Sequence, residues 1–274
     1  MLGYRTRLDK YLVFTETETM RFIDSHIHLD FKALDSRRFD LMASAEEAGV
    51  DRYIVPATMQ PSWAVIDALQ NTHREVSAAY GLHPYFIDSH RHEHLEELHD
   101  YLSMPNNAVA VGEIGLDFCL AELDRVKQRD FFKAQLMLAH QFTLPVILHV
   151  RKAVDDIIQC CREANIVGGI AHSYNGSLQQ AKQLLAINIK LGFGGAITYS
   201  RAKRLHQLIR DLPLCALCIE TDAPDQSVFR LNGRVNEPAA LIDVFNVICD
   251  LRPEPPDEIA AALYQNTTAV LALN

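Results

Sequence analysis

The chain has 274 residues, 49% hydrophobic and 22% charged, an ordinary globular composition. Its formal net charge of −9 and pI near 5.7 argue against a protein that coats nucleic-acid duplexes by neutralising phosphates, but leave room for a cation-lined pocket that grips one or two of them. No apolar run approaches the ~20 residues of a membrane span, so no membrane partner is expected.

Residues 1–19 read as an N-terminal extension, a leader or the product of an alternative start, because charges surround one short apolar stretch, Tyr11 to Phe14. Residues 20–274 read as a single domain of (β/α)8 TIM-barrel size. Short apolar runs predict strands over Arg21–Ser25, Arg52–Pro56, Val76–Gly81, Ala108–Gly112, Pro145–His149, Gly169–His172, Ile189–Gly192 and Leu217–Thr221. Most are apolar throughout, as parallel strands covered on both faces require. Helical spacing predicts helices between them. Asp40 to Ala48 stops at the C-cap signal Gly49, and Gln128 to Phe142 ends before Pro145. Ser177 to Leu185, Arg201 to Arg210, Pro238 to Leu251 and Asp257 to Leu271 follow the same form. Alternating strands and helices predict an α/β fold, either a closed barrel or an open doubly wound sheet.

Six ligand-type side chains choose between these. His26, His28, Glu113, His149, His172 and Asp222 each stand where an apolar run stops. An open sheet binds at one switch point, whereas ligands from strands one, four, five, six and eight converge only if the sheet closes. His26 and His28 are two apart, so in extended chain both imidazoles point the same way. Glu113 follows Val-Ala-Val-Gly between two glycines, a costly place for a carboxylate unless it is paired or metal-bound. Asp222 precedes Pro224 and suits a metal ligand, a general base, or both. Imidazole and carboxylate donors fit one or two divalent ions, Mg, Mn or Zn, with Glu113 able to bridge a pair.

Five segments carry a family resemblance. They are Phe22 to Asp30, Tyr80 to Pro84, Gly112 to Asp117, Leu144 to His149 and Glu220 to Pro224. In this order they resemble the TatD-type deoxyribonucleases of the amidohydrolase superfamily, within it the YjjV-like branch. The resemblance implies a TIM barrel and a metal-dependent hydrolase that cleaves phosphodiester bonds, with nucleic acid, DNA ends, as substrate. It implies one ion on His26, His28, Glu113 and Asp222, a second on Glu113, His149 and His172, and catalytic roles for Asp222 and Glu113. The family often has His-Ser-Arg where this chain has His149-Val150-Arg151, so a phosphate contact by Arg151 survives while a hydroxyl is lost. The alternative is an esterase or deacylase of the same site, such as a D-aminoacyl-tRNA deacylase. A non-catalytic metal-binding barrel is the third reading, favoured by a missing ligand.

Other positions are open between two readings. His83 follows strand three and could meet a substrate phosphate; Asp117 could orient a ligand or cap a helix. Gly192 to Gly195 could cradle an anion or only pack closely. Arg201, with Lys203 and Arg204, could bind the backbone of a nucleic acid or form a solvated face. Trp63 and Tyr85 could stack on bases or pack. The tract His90, His92, His94 and His99 reads as an exposed helix without a metal role. The six cysteines read as reduced thiols, Cys215 and Cys218 as small apolar residues, in a cytoplasmic protein for which a monomer is favoured.

Overall fold

A computed structural model describes residues 20–104 and 108–273. The expected N-terminal extension lies outside the described residues. Eight strands form one sheet in sequential order with parallel neighbours. They are β1 (Phe22–Asp24), β2 (Val50–Pro56), β3 (Val76–Tyr80), β4 (Ala110–Asp117), β5 (Val146–Arg151), β6 (Gly169–Ala171), β7 (Ile189–Phe193) and β8 (Leu217–Ile219). The edges meet: Ser25 N–H donates to Ile219 O at 3.0 Å, and Asp222 N–H to His26 O at 2.9 Å. The buried Asp24 fastens the same seam, accepting from Thr221 N at 3.0 Å and Thr221 Oγ1 at 2.5 Å. The barrel expectation holds and the open sheet does not.

The helices are α1 (Arg38–Glu47), α2 (Ser62–Thr72), α3 (Glu93–Ser103), α4 (Arg125–Phe142), α5 (Val154–Ala164), α6 (Leu178–Leu185), α7 (Lys203–Asp211), α8 (Leu241–Leu251) and α9 (Pro256–Val270). Local chemistry sets their ends. Asp124 caps α4 by accepting from the Val126 and Lys127 amides, and Ser177 and Gln180 form a capping box on α6. Gly49 follows α1 at φ +92°, a left-handed turn suited to glycine. No helix among the described residues is long and apolar enough to cross a membrane.

Two apolar layers result. The larger lies between sheet and helices. The smaller fills the barrel with Ile23, Ile54, Ala79, Ala110, Ile147, Ile170 and Cys218, closed by Val270, Leu271 and Leu273. Asn266 of α9 donates to the carbonyls of Leu214 and Leu217 at the entry to β8, at 2.9 and 2.8 Å. The C-terminal helix thus stoppers the N-terminal mouth of the barrel, leaving the opposite mouth for chemistry. Cys218 belongs to this interior while Cys215 is exposed, so the Cys-x-x-Cys spacing does not make a facing pair.

One expectation about placement is corrected. β4 does not stop at Gly112 but runs to Asp117, and β5 runs to Arg151, so Glu113 and His149 lie within strands. The register slips between Val111 and Ile114, where three steps along β4 match two along β5. Such a bulge re-aims a side chain. It sits at Gly112, where a Cβ would meet Ile147 Cβ at 2.6 Å; bulge and close approach together let Glu113 turn into the barrel mouth.

Candidate metal centre

Six elements contribute. His26 and His28 follow β1, Glu113 sits at the bulge of β4, His149 in β5, His172 just after β6 and Asp222 just after β8. His83, after β3, joins them. Asp222 is held at φ +56° by its amide bond to His26 O. This is a left-handed conformation that L-residues other than glycine adopt seldom and that clusters at functional sites.

Two groups of donors share Glu113. In the first, His26 Nε2 lies 3.3 Å from His28 Nε2, 3.2 Å from Glu113 Oε2 and 3.5 Å from Asp222 Oδ1. His28 Nε2 lies 3.6 Å from Glu113 Oε2 and 3.5 Å from Asp222 Oδ1. Ligands about 2.0–2.1 Å from a tetrahedral ion stand about 3.3–3.4 Å apart, so this donor set fits a divalent cation. In the second, Glu113 Oε1 lies 3.0 Å from His149 Nδ1 and 3.2 Å from His83 Nε2, and those two nitrogens are 3.0 Å apart. His172 stands between the groups. Its ring stacks on His26 with centroids 3.7 Å apart, and its Nε2 is 3.9 Å from Glu113 Oε1 and 4.0 Å from Asp222 Oδ2.

A second tier of side chains fixes the rings. His172 Nδ1 lies 3.0 Å from Glu220 Oε1, which also accepts from the Ser173 amide at 2.6 Å. His149 Nε2 lies 3.1 Å from Asp117 Oδ2. A carboxylate on the far nitrogen is the usual partner of a metal-ligating histidine, because it sets the ring's tautomer and angle. Asp117 therefore orients rather than caps; the cap of α4 is Asp124. Gln226 donates to Asp222 Oδ2 at 2.6 Å and accepts from Ser173 Oγ at 2.9 Å.

Electrostatics follow from burial against crowding. Burial lowers His28 to about 4 and carries His26 well below the ordinary histidine value, so both imidazoles are neutral donors. Burial would raise Glu113, but the histidines His83, His26, His149 and His172 outweigh it and hold the carboxyl well below its usual range. Burial pushes Asp222 up to about 7. For His172 burial acts downward, yet Glu220, Asp222 and Glu113 together lift it to about 10.

The remaining sequence candidates divide. Arg151 ends β5 half-exposed, its Nη1 3.4 Å from Asp117 Oδ2. Arg201 is exposed, with its guanidinium 5.0 Å from the Tyr199 ring centre. Arg204 instead donates to the carbonyls of Gly176 and Asn175, a structural tie. The glycine run packs closely: a Cβ on Gly192 would stand 2.2 Å from Glu220 Oε2, and one on Gly195 2.0 Å from Gln226 O. Trp63 is buried and donates to Gly81 O, whereas Tyr85 is exposed. The histidine tract, expected to form an exposed helix, is only partly exposed. His90, just before α3, and His94, in its first turn, are buried, and His90 Nε2 reaches His83 O at 2.9 Å. The apolar ring faces of such histidines can pack; His90 stacks near Phe131. Among the described residues the tract contributes to no ligand cluster.

Sequence reasoning missed Glu220 and Gln226 as orienting groups. Glu220 carried a weak signal, a lone carboxylate ending the apolar run Leu217 to Ile219; Gln226 carried none.

Comparison with known proteins places the chain in a family. The TatD-related DNase family matches residues 23–272. The metal-dependent hydrolase YjjV of Escherichia coli K12, described as uncharacterized, is 41% identical over 90% of this chain and 96% of its own. An uncharacterized metal-dependent hydrolase of Haemophilus influenzae is 34% identical over 92% of this chain and all of its own. The crystal structure of E. coli YjjV, a TatD homologue, superposes with a TM-score of 0.90 at 39% identity, covering 94% of this chain and all of the other. The chain belongs to the TatD-related DNase family and is a metal-dependent hydrolase.

Proposed function

We propose that the protein is a phosphodiesterase of deoxyribonuclease type that works on DNA ends with one or two divalent ions, Mg, Mn or Zn. The observation that carries this reading is the division of Glu113. One of its oxygens faces His26 and His28, the other His83 and His149, as a carboxylate shared by two cation positions would. Divalent ions held there would supply Lewis acidity and acidify a water, the chemistry suited to in-line displacement at phosphorus.

The residues then take roles. His26, His28, Glu113 and Asp222 would hold one ion; Glu113 and His149 would hold the other, with His172 approaching Glu113 Oε1 at 3.9 Å from between the groups. Asp222 would take the proton of the attacking water at Oδ2, the oxygen that accepts from Gln226 at 2.6 Å. His83, inside the second group, and Arg151, beside it at Asp117, would meet the substrate phosphate, with Arg201 in the loop after β7 contacting the backbone of the nucleic acid. Residues 20–274 act as one hydrolase domain, cytoplasmic and monomeric.

The test is cleavage of 5′-labelled single-stranded DNA by chelator-stripped protein with Mg, Mn or Zn restored singly. A metal-restored ladder, absent in Glu113→Ala of intact fold, is the expected result. Metal uptake without cleavage would overturn the nuclease reading and direct assays to acyl esters of D-aminoacyl-tRNA.

A further inference from the structure

Beside the metal centre lies a cleft of about 600 Å³, lined by Asn175, Tyr199, Arg201, Arg204, Gln226 and Ser227. It is formed by the loops after β6, β7 and β8, on the open mouth of the barrel. Its walls are tied together. Tyr199 Oη donates to Ser227 O at 3.0 Å, Phe229 N–H donates to Thr198 Oγ1 at 2.8 Å, and Arg204 grips the Asn175 and Gly176 carbonyls. Its inner wall is one hydrogen bond from the chemistry, because Gln226 holds Asp222 Oδ2 at 2.6 Å.

Two features ask for a ligand, one in the cleft wall and one beside it, against the lining residue Tyr199. Arg201 has no carboxylate partner among the described residues, and its guanidinium is propped over the Tyr199 ring at 5.0 Å. Phe229 leaves 65% of its surface exposed while standing edge-to-face on Tyr199, with centroids 5.6 Å apart. An exposed aromatic beside an unpaired, pre-oriented cation suits a planar base carrying an anionic phosphate. An acyl chain would leave Arg201 without a partner, and a bare phosphate would leave Phe229 exposed.

We propose that this cleft is part of a nucleotide subsite, in which Arg201 in its wall takes the phosphate of the nucleotide next to the scissile bond and Phe229, beside the cleft against Tyr199, takes the base. It rests on the phosphodiesterase reading for the reaction it serves, but its binding test does not. Gln226 joins the two, so the occupied cleft abuts the carboxylate that handles the water.

The experiment has two arms on the metal-loaded full chain. The first measures thymidine 5′-monophosphate binding by calorimetry. Phe229→Ala and Arg201→Gln are each expected to weaken it at least tenfold, and Phe229→Tyr to retain it. The second compares thymidine 5′-(p-nitrophenyl phosphate) with methyl p-nitrophenyl phosphate, which share a leaving group. The kcat/KM preference for the nucleoside diester is expected to fall at least tenfold in both variants, through KM. Unchanged nucleotide affinity, or equal losses on the two diesters, would overturn the subsite. If neither diester is hydrolysed, the phosphodiesterase reading fails alone, and the binding arm still decides the subsite.

Discussion

Glu220→Gln isolates what the second tier of residues contributes. The substitution keeps the shape of a fully buried side chain and its acceptor for the Ser173 amide, but replaces the carboxylate facing His172 Nδ1 at 3.0 Å by an amide. A hydrogen bond to a charged group contributes about 1.5–3 kcal/mol and a neutral one about 0.5–1.5 kcal/mol. The difference of about 1–1.5 kcal/mol corresponds to roughly a tenfold change in an equilibrium constant. That is the low end of the roughly 10–100-fold losses seen when the outer partner of a ligating histidine is removed. Metal affinity measured by competition with a chromophoric chelator should therefore fall about tenfold, with circular dichroism unchanged. Gly192→Ala should reach the same end by force. Its Cβ would lie 2.2 Å from Glu220 Oε2, so Glu220 must swing away from His172, and the loss should be larger. Affinity within twofold of wild type in Glu220→Gln would refute the orienting role of this carboxylate.

Gly115 has φ +148°, and a Cβ there would stand 2.0 Å from His149 O, whereas Gly233 at φ +79° has open space. Gly115→Ala should thus lower Tm by more than Gly233→Ala, which carries only a backbone cost of about 1 kcal/mol, and should also lose metal affinity because β4–β5 alignment sets Glu113 against His149; equal melting shifts would contradict this. Burial pushes Asp24 up to about 8 from an ordinary 3.8, so its neutral form is favoured by folding. The stability this confers is complete below about pH 4 and is lost as pH rises through 8; Asp24→Asn, which does not titrate, should gain on wild type by several degrees in Tm between pH 5 and pH 9, and a constant gap would show the shift to be absent. Metal at 100 times its Kd adds about 2.7 kcal/mol to folding, so chelation should lower Tm by roughly 5–10 °C for a domain of this size. Glu113→Ala should show a much smaller chelation shift, and an equal one would place the ion elsewhere.

The chain's own pattern carried the alternation of strands and helices and the candidate donors. Short apolar runs alternating with helical stretches left a closed barrel or an open sheet, and ligand-type residues at the ends of five of those runs pointed to the barrel. The candidate donors His26, His28, Glu113, His149, His172 and Asp222 were legible as ligand-type residues where apolar runs stop, although Glu113 and His149 lie within their strands. Tertiary structure decided what periodicity cannot express. The bulge at Gly112 and Glu113 depends on the register between β4 and β5, and a local apolar pattern does not encode register. His90 and His94 are buried because α3 packs against α4, though their neighbours in sequence are charged. The orienting pairs Glu220 with His172 and Asp117 with His149 join residues 48 and 32 positions apart. His83, read as a phosphate contact, stands 3.0 Å from His149 because β3 and β5 flank the same carboxylate of β4. Strand propensity and ligand chemistry are local and therefore legible in one dimension; distances between side chains on different strands exist only once the sheet has closed.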